Sequence, residues 1–393
     1  MTHRRRPSSP SPVPAHPLED DDLLHEILLR LPPQPAYLLR ASLVSKRWRH
    51  LATDAKFLRR FSRHHRKPPL LGVFSCSGRS ISFRSTLDPP HRIPPERFSP
   101  RLEGHKDWSC LDCRHGRVLF DDWSRRQVVV WDPITDDYRV VAYPPELHVP
   151  DKVFLHCGAV LCADGDHGHA HGACHSSPFK VAFLGIYDDD GEGAIAFAGV
   201  YSSETDTWCD LLSTALSHRC YYASISQSST LVGNTLHWLS SYGILEFDLD
   251  TQKLAVVKSP PCVGYSPLTI QAEDGDLGFA ALSGARYHKT CLHIWEKEAD
   301  SYGVATYVLR KTAELQNILG VGCKIDSTVM MHYAEDVNAI FLWVEASVYM
   351  VQLGSMQSQK LFTDDQCSTV RPFTSFYTEG ICSSLKQKHL ISG

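Results

Sequence analysis

The side chains best suited to chemistry gather between Cys157 and His175. Cys157, Cys162, Asp164, Asp166, His167, His169, His171, Cys174 and His175 all fall in that stretch, and thiolates with imidazoles are the ligand types that hold zinc or copper. The spacing argues otherwise. No two Cys-x-x-Cys pairs occur there, and histidines alternating with Gly and Ala have the composition of a flexible loop. The sequence therefore predicts a solvated insertion between two strands, with no metal and no cofactor. Cys110-x-x-Cys113, followed by His115, also lacks a second pair, and alternation through Cys110, Leu111 and Cys113 marks a buried strand.

Catalytic patterns are missing from the sequence. There is no Gly-x-Ser-x-Gly elbow and no phosphate loop ending in Gly-Lys-Ser/Thr, and His25-Glu26 lacks the second histidine of a zinc-protease helix. No residue is assigned a catalytic role, and the chain is expected not to be an enzyme.

The elements that would carry any site differ between the two ends of the chain. From Leu18 to Ala52, apolar residues recur at helical spacing: Leu23, Leu24, Ile27, Leu28 and Leu31 form one stripe, with Asp20, Asp21 and Asp22 where carboxylates meet the positive end of a helix dipole. Pro32 and Pro33 stop that helix. A second is expected from about Tyr37 to Leu43, and Ser45 is placed to cap a third carrying Trp48 and Leu51. Three apolar faces on so short a segment need a shared core and a partner.

Beyond Lys67-Pro68-Pro69 the pattern changes to short strands separated by Gly, Asp, Ser and Pro, which predicts an all-β region. One motif repeats within it. Val128–Trp131, a turn over 132–137 and Tyr138–Val141 is echoed at Gly199–Trp208 and Ile244–Val257, aligning Thr135, Thr205 and Thr251. Asp and Thr suit such turns because their short oxygens accept bonds from nearby backbone N–H groups. Repeated antiparallel meanders predict a β-propeller of about six or seven blades, with a pair of β-sandwiches as the alternative. Trp131, Trp208, Trp238, Trp295 and Trp343 recur at similar places and are expected to pack between strands. Ring closure should join Leu70–Phe74 to Thr369–Leu385.

The N-terminal motifs carry a resemblance. LLHEILLRLPP (residues 23–33), Leu43-Val-Ser-Lys-Arg-Trp-Arg49 and the trailing FLRRFSRHHRKPPLLGVF (residues 57–74) resemble an F-box and the segment C-terminal to it in many plant F-box proteins. The β region resembles their kelch-like, F-box-associated propellers. Where many F-boxes open with Leu-Pro, this chain has Leu18-Glu19. The resemblance implies a multidomain chain: a disordered Pro/Ser/Arg-rich tail at 1–17, a three-helix F-box over 18–66 and a propeller over 67–393. It further implies a substrate-recognition subunit of an SCF-type ubiquitin ligase. The F-box would bind a Skp-type adaptor, and through it a cullin, while the propeller holds an unidentified target protein. Family positions that grip the adaptor match Leu23, Leu24, Ile27, Leu28, Leu31, Pro32, Val44 and Trp48. A scaffold without a degradation role and a metal-binding propeller are the alternatives.

Composition fits this reading. The 393 residues are 43% hydrophobic and 21% charged, with a net charge of −4, which points to neither nucleic acid nor a membrane surface as partner. No apolar run reaches membrane-spanning length. Thirteen cysteines, an odd number, and no Asn-x-Ser/Thr suit a reducing compartment, so an intracellular location, cytoplasm or nucleus, is expected.

Overall fold

A computed structural model of the protein describes residues 18, 20–77, 80–101, 108–144, 154–163, 169–175, 177–189, 193–216, 224–259, 265–284, 289–299, 305–322 and 327–377. It begins with helices α1 (Asp21–Leu29), α2 (Pro35–Ser42), α3 (Lys46–Thr53) and α4 (Ala55–His65). The sequence predicted three. The fourth forms because Phe57 and Phe61, one turn apart, face the same core, and because Asp54 caps it by accepting from Lys56 and Phe57 N–H, both at 2.9 Å. The other caps follow the sequence. Asp20 accepts from Asp22 N–H at 2.8 Å, and Ser45 Oγ accepts from Trp48 N–H at 3.1 Å.

The β region follows in chain order. Strands β1 (Leu70–Ser77) and β2 (Ser80–Ser85) come first, then the sheet of β3 (Trp108–Arg114), β4 (Arg117–Asp122), β5 (Gln127–Asp132) and β6 (Asp137–Ala142). The next contains β7 (Phe154–Cys162), β8 (Phe179–Asp189), β9 (Gly193–Ser202) and β10 (Thr207–Trp208), with β11 (Leu212–Ala215) also on β9. Two more meanders are β12 (Ile225–Val232) to β15 (Lys253–Val257) through β13 (Thr235–Ser240) and β14 (Gly243–Asp248), and β16 (Tyr265–Gln271) to β19 (Ala305–Glu314) through β17 (Leu277–Ser283) and β18 (Cys291–Ala299). The short α5 (Leu315–Leu319) leads to β20 (Thr328–Ala334), β21 (Ala339–Val344), β22 (Ser347–Gln352) and β23 (Ser358–Thr363), and β24 (Thr369–Thr374) comes last.

Each sheet offers its innermost strand to the next. β3, β7, β12, β16, β20 and β24 touch in sequence and β24 returns to β3, which closes a six-bladed ring. β24 pairs antiparallel with β1, as expected from ring closure, so the first blade takes strands from both ends of the domain. Trp131 and Trp238 are fully buried between blades.

The repeated turn has one geometry. Asp136, Asp206 and Met356 sit in the left-handed region at φ 65°, 58° and 55°, and each N–H donates to the carbonyl four residues back at 2.8–2.9 Å. Asp132 Oδ1 accepts from Ile134 and Thr135 N–H, and Asp248 Oδ1 from Asp250 and Thr251 N–H, so Thr135 and Thr251 align because their amides are held by an aspartate, whereas Ser202 stands at that place before Thr205.

Candidate interaction surface and a His/Cys cluster

The helical cap divides the expected adaptor residues into two sets. Leu24 and Leu28 are 0% exposed and join Leu29, Leu38, Phe57 and Phe61 in the cap's core. Leu23 at 49%, Ile27 at 43% and Val44 at 63% stand in solvent, and Pro32 is exposed as well. Leu31 and Trp48 are half-buried against the core. Leu43, at 65%, belongs with the exposed set and was missed by the sequence reading, which counted it as a helix end. Leu23 and Ile27 are one turn apart on α1 and so share a face. Arg47 fixes α3 against α1 by pairing with Asp21 at 2.6 Å.

The cap sits on the propeller through particular contacts. Ala36 N–H donates to His91 Nδ1 at 3.2 Å, the Tyr37 ring packs on His91 at 4.8 Å, and the Phe61 ring meets Phe376 edge-on at 6.4 Å. Phe376 lies just past the C-terminal end of β24. The other end of that strand, at Ser368 and Thr369, lines a cavity of about 520 Å³ with Ser226, Gln227, Ser266 and Met331. A second cavity of about 260 Å³ beside Trp108 shares Gln227, Ser368 and Thr369. At about 3.3 Å per residue, β24 separates mouth and cap by roughly 20 Å, so they lie at opposite faces of the ring.

Between the faces, a polar network fills the axis. Arg114 pairs with Asp112 at 2.9 Å and with Glu335 at 3.0 Å, and its guanidinium also reaches Ser229. Arg371, 1% exposed, donates to Leu111 O and Thr369 Oγ1. His332 Nδ1 and Ser228 Oγ share a hydrogen bond at 2.9 Å. Burial holds the His332 pKa well below its ordinary value, and Arg371 and Arg114 push the same way. Burial also raises the Glu335 carboxyl pKa, against the pull of Arg114. Arg114 pairs with the two carboxylates and Arg371 with backbone carbonyls and Thr369, and together they join β3, β12, β20 and β24.

The His/Cys stretch departs from its expected form. Asp164, Asp166 and His167 lie outside the described residues. Gly172 and Cys174 are buried rather than solvated. Cys157 faces the core, where burial pushes its thiol pKa up, and His175 Nδ1 turns aside to Asp132 at 2.9 Å. Cys162, His169, His171 and Cys174 converge: their ligand atoms all lie within 4.8 Å of one another. The four residues the spacing argument dismissed are thus brought together by the hairpin between β7 and β8. Cys110 and Cys113 lie in β3, with Cys110 buried, as the alternation predicts.

Comparisons with known proteins place this architecture. The F-box domain model matches residues 20–60, and a model described as F-box protein AT5G49610-like, beta-propeller, matches residues 109–378. The chain belongs to this family of F-box propeller proteins. The F-box propeller is similar to F-box/LRR-repeat protein At2g43260 of Arabidopsis thaliana, 24% identical over 253 residues, which cover 61% of this chain and 55% of that protein. It thus spans about half the length of the curated relative it matches. Among solved structures, the PQQ-bound form of aldose sugar dehydrogenase from Streptomyces coelicolor aligns over 69% of this chain and 90% of its own, at 9% identity and a TM-score of 0.36. Dihydro-heme d1 dehydrogenase NirN in complex with DHE aligns over 79% and 74%, at 12% identity and a TM-score of 0.32. F-box domains generally bind Skp1-type adaptors, and the F-box/propeller architecture is typical of non-catalytic adaptor proteins. No helix among the described residues is long and apolar enough to cross a membrane.

Proposed function

We propose that this F-box propeller is the substrate-recognition subunit of an SCF-type ubiquitin ligase, with the helical cap binding a Skp-type adaptor and, through it, a cullin. The observation that carries the reading is the division on α1. Leu24 and Leu28 complete the cap's core, while Leu23 and Ile27, equally apolar, are left in water one turn apart. An aliphatic side chain gains roughly 1.5–3 kcal/mol from burial, so such a face favours a partner. The propeller would hold the target protein. The mouth opposite the cap offers the hydroxyls of Ser226, Ser266, Ser368 and Thr369 and the amide of Gln227, groups suited to orienting a polar segment, and it faces away from the adaptor side.

In this reading the chain performs no chemistry. Its contacts hold the target at high local concentration beside the ubiquitin-charged enzyme, and the packed cap–propeller junction keeps that geometry fixed. A reducing intracellular compartment, cytoplasm or nucleus, is where such a complex would work.

Reconstitution tests the reading. The full chain mixed with a Skp-type adaptor and a cullin should elute as one complex containing all three. Elution of the chain apart from an assembled adaptor–cullin pair would overturn it.

A further inference from the structure

We propose that Cys162, His169, His171 and Cys174 bind a structural zinc ion in tetrahedral coordination, and that this ion braces the β7–β8 hairpin beside the seat of the helical cap.

The geometry approaches that of a coordination shell. Cys162 Sγ lies 3.4 Å from His169 Nε2, His169 Nε2 lies 3.0 Å from Cys174 Sγ, and Cys174 Sγ lies 3.8 Å from His171 Nδ1. Zn–S bonds of about 2.3 Å and Zn–N bonds of about 2.0–2.1 Å at tetrahedral angles put ligand atoms about 3.4–3.8 Å apart. Two thiolates and two imidazoles, with no carboxylate among them, select zinc over calcium or magnesium. Four protein ligands leave no open position, which is the pattern of a structural site.

Without a cation, the arrangement has weak grounds for existing. Thiols are poor donors and poor acceptors, so hydrogen bonds among two thiols and two imidazoles repay little of the entropy lost in ordering a Gly- and Ala-rich loop. The loop is nevertheless held from outside the cluster. Cys162 is the last residue of β7, paired with Phe179, and its N–H donates to His115 Nδ1 at 3.0 Å. The His115 ring stacks on His171 with centroids 3.7 Å apart and planes 17° apart. Arg117 donates to the carbonyls of Cys174 and Ser177. Such contacts orient ligand side chains and backbone as outer partners do at metal sites.

The hairpin also touches the junction. Gly172 O accepts from Ser375 Oγ at 2.9 Å and from Phe376 N–H at 3.0 Å, and Phe376 carries the Phe61 contact. Gly172 has φ +90°, and a Cβ there would lie 2.7 Å from Pro68, in the connection from α4 to β1. A metal fixing His171 and Cys174 therefore fixes Gly172 between them and steadies the seat of the cap.

Elemental analysis of the full chain, purified under reducing conditions without a metal-affinity step, should show one zinc per chain. Cys162→Ser with Cys174→Ser should abolish it, while Cys209→Ser with Cys291→Ser, outside the cluster, should keep it. Replacing zinc by cobalt should give the strong visible bands of a tetrahedral site with thiolate-to-cobalt charge transfer. His171→Cys, which preserves four ligands, should retain the metal and intensify that charge transfer, so the test does not depend on a variant that fails to fold. Hydrogen exchange around Phe61 and Phe376 should quicken on chelation. The proposal is overturned if the reduced full chain carries no zinc and takes up no tetrahedral cobalt, if Cys162 and Cys174 are joined as a disulfide under those conditions, or if the Cys209/Cys291 variant loses metal equally.

Discussion

Phe74, in the first strand of the ring, pairs across the backbone with Arg371 in the last. Some three hundred residues of sequence are thereby closed by one antiparallel pair. Val370 and Phe373 of the same strand are fully buried, each in a different cluster beside that blade. A chain ending at Phe362 should therefore lose the cooperative melting of the whole β domain, because every blade depends on its neighbours. A melt at the full-length temperature would contradict ring closure.

The axial network should be costly to break from one side. Arg114 is almost wholly buried between Asp112 and Glu335, so Glu335→Ala leaves part of a buried cation uncompensated. A loss of about 3–5 kcal/mol is expected by denaturant unfolding. Arg114→Met should cost at least as much, since it leaves the Asp112 and Glu335 carboxylates without the cation that both pair with.

Stability should also fall with acid. The folded pKa of His332 is depressed, so its contribution is fully present above the unfolded value of about 6.5 and is lost as pH drops toward the folded one. His237, lowered chiefly by burial, acts in the same direction. Between pH 7.5 and 5.5 unfolding free energy should decline by up to about 1.4 kcal/mol per pH unit for each such group. His332→Asn, whose amide oxygen can still accept from Ser228, should flatten that slope; an unchanged slope would show that His332 titrates alike folded and unfolded.

Within the cap, Leu28→Ala should cost about 2–5 kcal/mol, because its side chain is fully enclosed by the cap's core. Hydrogen exchange over α1 and α4 should report the loosening while the propeller's melt stays in place.

The readable parts of the sequence were those set by local periodicity. The stripe through Leu24 and Leu28, the Ser45 cap and the Asp-to-Thr turns at 132 and 248 each depend on residues within one turn of each other, and each forms as expected. The fourth helix was hidden because Phe57 and Phe61 are embedded among arginines and histidines, which mask their helical spacing. Which leucines face the core and which face outward depends on how α1 meets α4, and a single stripe does not encode it. The convergence of Cys162, His169, His171 and Cys174 was not legible for a similar reason. Their spacing is unusual, and the parts that aim them, His115 and Arg117 from another hairpin and Gly172 against Ser375, are remote in sequence.

The outward apolar face of α1 is the proposed grip for a Skp-type adaptor. Leu23→Asp with Ile27→Asp changes two side chains that the cap's own core does not use, so the melting of both domains should be unaltered. Calorimetric titration with the adaptor should show affinity lowered by more than about a hundredfold, since each 1.4 kcal/mol is a factor of ten and both positions would place a carboxylate in an apolar contact. Wild-type affinity in that double variant, with the fold intact, would contradict the assignment of this face to the adaptor.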